Sequence, residues 1–233
     1  MKNALSLILF FLVAQFQTSA NDFFNGVTFF VSTYVEEEKV NYTSISNNPE
    51  LLDSLVNQIG QMDISNFDQT ALKAYYLNSY NLLVIQQVMD YYPINSCQEI
   101  DGFFSDTRFL VAGDSLTLDD IEKVRLKPMN DERVHFALVC ASLSCPPLDA
   151  FTPDNVDLSL KLIRDNYINS DKAVLITEDK EIKISRIFDW YEDAFLLHAS
   201  SIREYINFFR YKNLPKKREL EYQPYDWTLN DLK

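Results

Sequence analysis

Apolar residues recur along this chain in steps of three and four more often than in alternation, so the spacing predicts mostly helices. Asp22–Tyr34 reads as a helix and Val40–Tyr42 as a short extended piece. Pro49 suits a helix opening, where its missing N–H would be unpaired anyway. Behind it, Leu51, Leu52, Leu55, Val56 and Ile59 fall on one stripe. Gln69–Tyr92, ending before Pro93, is the longest helical signal, with Leu72, Tyr75, Leu77, Tyr80, Leu83, Val84 and Val88 spread over almost every face. A helix that is apolar all round is buried all round, so this one is expected at the centre. Thr117–Asp120 resembles a capping box, with Asp in place of Glu, ahead of Ile121–Leu126. Val134–Val139 is a continuous apolar run, expected as a strand buried on both faces and packed on the central helix. Pro153–Asn169 reads as a helix, Ala173–Thr177 with Glu181–Ser185 as a hairpin, and Phe188–Phe209 as one or two closing helices. Together these predict an α+β fold: a helix-rich single domain over residues 21–233, with a small β-sheet packed on the long central helix.

The start of the chain has a different character. Lys2 precedes the apolar run Ala4–Ala14, and small residues follow at Thr18, Ser19 and Ala20. A membrane-spanning helix needs about 17–25 apolar residues, more than this run supplies. The pattern is that of a secretory signal peptide over residues 1–20, cleaved after Ala20. The mature chain is expected to be exported, to the periplasm or the extracellular space, with no transmembrane segment once the signal is removed.

Composition narrows the partners. Apolar residues make up 47% and charged residues 24%, and 17 Phe with 13 Tyr exclude disorder as the main state. Four glycines are too few for a Gly-rich nucleotide loop. A net charge of −13 argues against nucleic acid and acidic membranes. An unknown protein, peptide or small-molecule ligand remains as the expected partner. No cofactor and no metal is implied.

The candidate chemistry lies in Arg133–Pro147, which holds one of two histidines and two of three cysteines. A thiolate is a strong nucleophile, and an imidazole beside it can generate it. On a regular strand His135 and Cys140 would face opposite ways, roughly 17 Å apart at about 3.3 Å per residue. A turn at Ala141–Ser144 would return Cys145 toward His135, which makes Cys145 the better nucleophile of the two. Three other readings stand beside this one. Cys140 and Cys145 could close the turn as a disulfide, as export favours. His135 with both cysteines could hold zinc, although the spacing lacks a Cys-x2-Cys knuckle. All three side chains could simply pack in the core.

Asn78 and Asn81 lie three apart on the apolar central helix, and buried amides need partners. Those partners are each other, neighbouring backbone, or a histidine that one of them would orient. Asp189–Asp193 could line a cleft but reads first as a solvated helix turn with an aromatic anchor, His198 as a packed helix residue, and Lys212–Arg218 as a solvated basic stretch.

Four segments carry a family resemblance. Tyr76–Leu82 resembles a "W-[IV]-N-x-Y-N-[AL]" helix, with Tyr76 in place of Trp. Arg133–Pro146 resembles "R-[IV]-H-F-A-L-x-C-x-x-x-S-C-P". Trp190–Phe195 resembles "W-[FY]-x-x-D-F" with Ala194 inserted, and Tyr225–Asn230 resembles "Y-D-W-[ST]-L-N". In this order they resemble the family of unknown function DUF547, over roughly residues 25–233. The resemblance implies His135, Cys140, Cys145, Asn78 and Asn81 as motif positions without an assigned activity. It also carries a distant likeness to papain-like or transglutaminase-like cysteine hydrolases. Two functions are therefore expected: a non-catalytic envelope or extracellular binding module, or alternatively a cysteine-dependent hydrolase or acyl transferase. In the second, Cys145 is nucleophile, His135 base, Asn78 or Asn81 an orienting group, and backbone N–H groups of residues 141–145 an oxyanion site.

Overall fold

The computed structural model describes residues 19–232. Most of the expected signal peptide thus lies outside the described residues. The Ser19 hydroxyl caps helix α1 (Ala20–Tyr34), which buries Phe23, Phe24, Val27 and Phe30. A two-residue hairpin follows, β1 (Val35–Glu36) with β2 (Lys39–Val40), then α2 (Tyr42–Asn47) and α3 (Glu50–Gln61).

Helix α4 (Gln69–Tyr91) is the centre that its all-round apolarity requires. Asp68 caps it by accepting from the Ala71 N–H. Every residue from Lys73 to Ile85 is buried. It packs against α2, α3, α6 (Val156–Ile168) and the turn Ile121–Leu126. That turn is π-helical and continues α5 (Leu118–Asp120), which the expected capping box starts: the Asp120 N–H reaches the Thr117 hydroxyl, and the Thr117 N–H reaches the Asp120 carboxylate. The hairpin β3 (Phe109–Val111) and β4 (Asp114–Leu116) precedes it.

The second half carries the larger sheet. Strands β5 (Val174–Ile176) and β6 (Ile182–Ile184) pair antiparallel, as the hairpin pattern predicts, and β7 (Leu220–Tyr222) joins β6 in parallel. The Tyr167 hydroxyl on α6 bonds that of Ser185 just past β6, which ties the sheet to the helix. The fold is a helix-rich α+β domain. Among the described residues no helix is long and apolar enough to cross a membrane.

Three expectations need correction. Val134–Val139 is not a strand. Glu132–Phe136 winds into a 3-10 turn, started by Asp131, whose carboxylate accepts from the Arg133 N–H; irregular chain follows. The apolar run is buried as expected, but its backbone finds side-chain partners rather than a neighbouring strand. Phe188–Phe209 is cut into three short helices, α7 (Ile187–Trp190), α8 (Glu192–Leu196) and α9 (Ile202–Phe209). Tyr191 leaves helical geometry between the first two, and Ser201 is extended and caps the third. His198 therefore does not sit packed on a helix: its side chain is about half exposed and its Nε2 lies 3.2 Å from the Glu132 carboxylate.

The C-terminal segment binds distant parts together. The Leu143 and Ser144 N–H groups donate to the Thr228 and Asp226 carbonyls, and the Asn230 N–H to the Ala141 carbonyl. On its other side the Val40 N–H donates to the Asn230 carbonyl, while the Tyr42 hydroxyl bonds the Asn230 side chain at 2.9 Å.

Candidate functional site

The segment from Ala137 to Phe151 crosses α4 without regular structure of its own, and two buried asparagines supply the missing bonds. Asn81 donates from Nδ2 to the Ala137 carbonyl at 2.9 Å and accepts at Oδ1 from the Val139 N–H at 3.0 Å. Asn78, one helical turn earlier, donates to the Phe151 carbonyl at 2.7 Å and accepts from the Phe151 N–H at 3.0 Å. Each amide replaces a strand neighbour, because a primary amide presents the same donor and acceptor as a peptide unit. Among the alternatives open for these two residues, the structure selects the backbone of a loop. They are positioning residues: they hold the segment that carries Cys140 and Cys145.

At Ala141 the chain reverses, with a φ of 57° in the left-handed region, uncommon for a residue with a Cβ. The reversal brings Cys140 and Cys145 together as a disulfide, with Cα atoms 6.3 Å apart. That is the disulfide reading of the three, and it leaves neither sulfur as a free thiol. The Cys140 N–H donates to Cys145 Sγ at 2.8 Å, and the hydroxyls of Ser142 and Tyr225 lie within 3.4 Å of the same atom. Cys145 is 2% exposed. Cys140 is more open and lines an apolar pocket. Cys97 is free and buried; burial pushes its thiol up to about 11, which leaves it unreactive near neutral pH.

This pocket encloses about 390 Å3. One wall comes from Trp190, Tyr225 and Trp227, whose rings pack on one another at 4.7–5.7 Å. Another side has Tyr80 from α4, Phe104, Tyr191 and His135. Glu122, Asp119 and Lys123 from the turn after β4 complete the polar part. The 3-10 turn at 132–136 turns His135 into the pocket while Val134 and Phe136 enter the core.

His135 is 6% exposed, stacks on the Tyr191 ring at 3.9 Å, and leaves its Nδ1 without a hydrogen-bond partner. Burial, with a smaller push from the Lys127 charge, brings its pKa down to about 4. The imidazole is neutral at physiological pH. Glu122 moves the other way: burial raises its carboxyl above the ordinary range, and the neighbouring Tyr191 hydroxyl offsets part of that. Asn78 and Asn81 make no hydrogen bond to His135.

Sequence reasoning brought His135 and Cys140 to one segment but set them on opposite faces, because it assumed a strand; the pocket is lined by both. Of six lining residues, it offered Trp190 and Tyr191 as a cleft lining, ranked behind a solvated helix turn, and gave no site role to Glu122, Tyr80, Tyr225 or Trp227. Five of these six stand in the recurring motifs quoted above, and that recurrence was the available signal. Glu122 had none, being one of three acids between Asp119 and Glu122 at the start of a mixed polar and apolar turn.

A helix-rich α+β domain with an aromatic pocket bordered by a disulfide is the class that this geometry defines. Residues 64–168 match the family model described as "Protein of unknown function, DUF547", which supports the family resemblance read from the sequence. The matched stretch spans α4, the disulfide segment and α6, while Trp190, Tyr191, Tyr225 and Trp227 lie beyond it. No curated protein matches the chain, and no solved structure matches it.

Proposed function

We propose that this protein is an exported binding module, periplasmic or extracellular, whose ligand is held in the aromatic pocket. The pocket itself carries this reading: about 390 Å3, six aromatic side chains and few polar groups form the usual build of a small-ligand site. A disulfide beside it suits an oxidising compartment. With both sulfurs paired, the pocket presents no free thiol, which favours binding over thiol catalysis. The alternative, a cysteine-dependent hydrolase or acyl transferase using Cys145 and His135, would need the disulfide reduced and the buried Cys145 opened to substrate. In that reading Cys140 would be the sulfur already on the pocket lining.

The two readings separate in one experiment. The binding module predicts that iodoacetamide labels neither Cys140 nor Cys145 in the folded, unreduced protein. After reduction it predicts labelling with no rate advantage over a free thiol of pKa about 8.5. Labelling of Cys145 at pH 6.5 faster than that reference, abolished by His135→Ala, would replace the binding module with the hydrolase.

A further inference from the structure

The pocket's charge is as distinctive as its aromaticity. Lys123, the only basic side chain other than the neutral His135 on its lining, is committed to Asp119 at 2.7 Å. Glu122 on the same turn makes no ion pair among the described residues, although most of its carboxyl is removed from water. Burial makes the anion costly and outweighs the pull of the Lys123 and Lys127 charges, so its pKa is raised. The rings that share this lining carry π-electron faces, and such faces attract cations most strongly where water is excluded. Over longer range the chain carries a net charge of −13, which draws cations toward any cleft in its surface.

Resting on the binding reading above, we infer that the pocket between Glu122 and the Trp190, Tyr225 and Trp227 wall takes an organic cation, of the class that bears a methylated ammonium group on an apolar or aromatic body. The body fits the aromatic lining, and the ammonium supplies the direct ion pair that Glu122 lacks among the described residues. A methylated ammonium suits this site better than a primary amine. It is weakly hydrated and needs no hydrogen-bond acceptors for N–H groups, and the pocket offers few. Glu122 is a binding residue in this account, with Tyr191 beside it as the neighbouring hydroxyl.

The chain contains two tryptophans, Trp190 and Trp227, and both line the pocket. Intrinsic fluorescence therefore reports on this site without a label. The probes are phenyltrimethylammonium and its neutral isostere tert-butylbenzene, which share a shape and differ in charge. The cation is expected to perturb the fluorescence saturably and to bind at least about tenfold more tightly than the isostere. Glu122→Gln, which keeps the shape of the side chain, should remove most of that preference and leave the isostere's affinity unchanged. Equal affinities of the two probes would overturn the cation while leaving an apolar binding pocket in place. A preference that survives in Glu122→Gln would overturn the role of Glu122. Saturable binding of neither probe, with the protein folded, would overturn the cation and the binding pocket together.

Discussion

Helix α4 and the segment Ala137–Phe151 lie against each other in the core and are held by opposite means. The helix satisfies its own backbone, so its surface could become apolar on every side, and its burial follows from the sequence. The segment has almost no internal backbone bonding. Its polar groups reach Asn78 and Asn81 on the helix, and Asp226, Thr228 and Asn230 on the C-terminal segment. One region supports itself and the other is supported, and the chemistry sits on the supported one. Irregular backbone can reverse at Ala141, join two cysteines and aim Cys140 into a pocket, which a straight strand could not do.

The sharpest way to break this contrast is on the helix. Leu77 is fully buried in α4, and Leu77→Ala should destabilise the domain by about 3–5 kcal/mol, through lost burial and the cavity left behind. Urea unfolding followed by far-UV circular dichroism and by tryptophan fluorescence should shift together, because the helix serves the whole core. Separate transitions would mean that the helix is not the shared support.

The second test concerns pH on the supported side. His135 titrates near 4 in the fold against about 6.5 in the unfolded chain, so the unfolded state binds more protons between those values. The stabilising neutral imidazole is fully present above about pH 6.5 and is lost as the pH falls toward 4. Lowering the pH from 7.5 to 4.5 should cost about 2–3 kcal/mol through this residue. His135→Phe should lack that part of the decline in urea midpoints measured at the two values. A variant as acid-sensitive as the parent would show that His135 is not buried as a neutral ring.

The smallest of the three effects is local. Asn81→Ala leaves the Ala137 carbonyl and the Val139 N–H without partners in the core and should cost about 2 kcal/mol. Amide exchange should accelerate in residues 137–145 before it does in α4. Uniform acceleration across the domain would erase the distinction between the two regions.

The same contrast explains what could be read in advance. Helices α1, α3, α4 and α6 and the β5–β6 hairpin follow from spacing, caps and turn residues, which are local. Val134–Val139 was legible as buried but not as irregular, because an apolar run records only that water is excluded. The partner of its backbone was an amide more than fifty residues earlier. The amides of Asn78 and Asn81 were legible as needing partners, since buried polar groups do, but nothing in the sequence says which loop they meet. The pocket depends on Trp190, Tyr225 and Trp227 converging with α4 and the turn at 119–123, and such convergence is set by tertiary packing.

The bridging role of the C-terminal segment also orders events in time. Tyr42 and Asn230 are bonded across 188 positions of chain, so this contact is among the last that synthesis allows. Helices α1 to α4 can gather while residues 225–230 are still to be made, but the wall built by Tyr225 and Trp227 cannot. The nascent protein thus carries its central helix before it carries the pocket wall. A ligand that uses this wall can stabilise only the finished chain and cannot template the growing one.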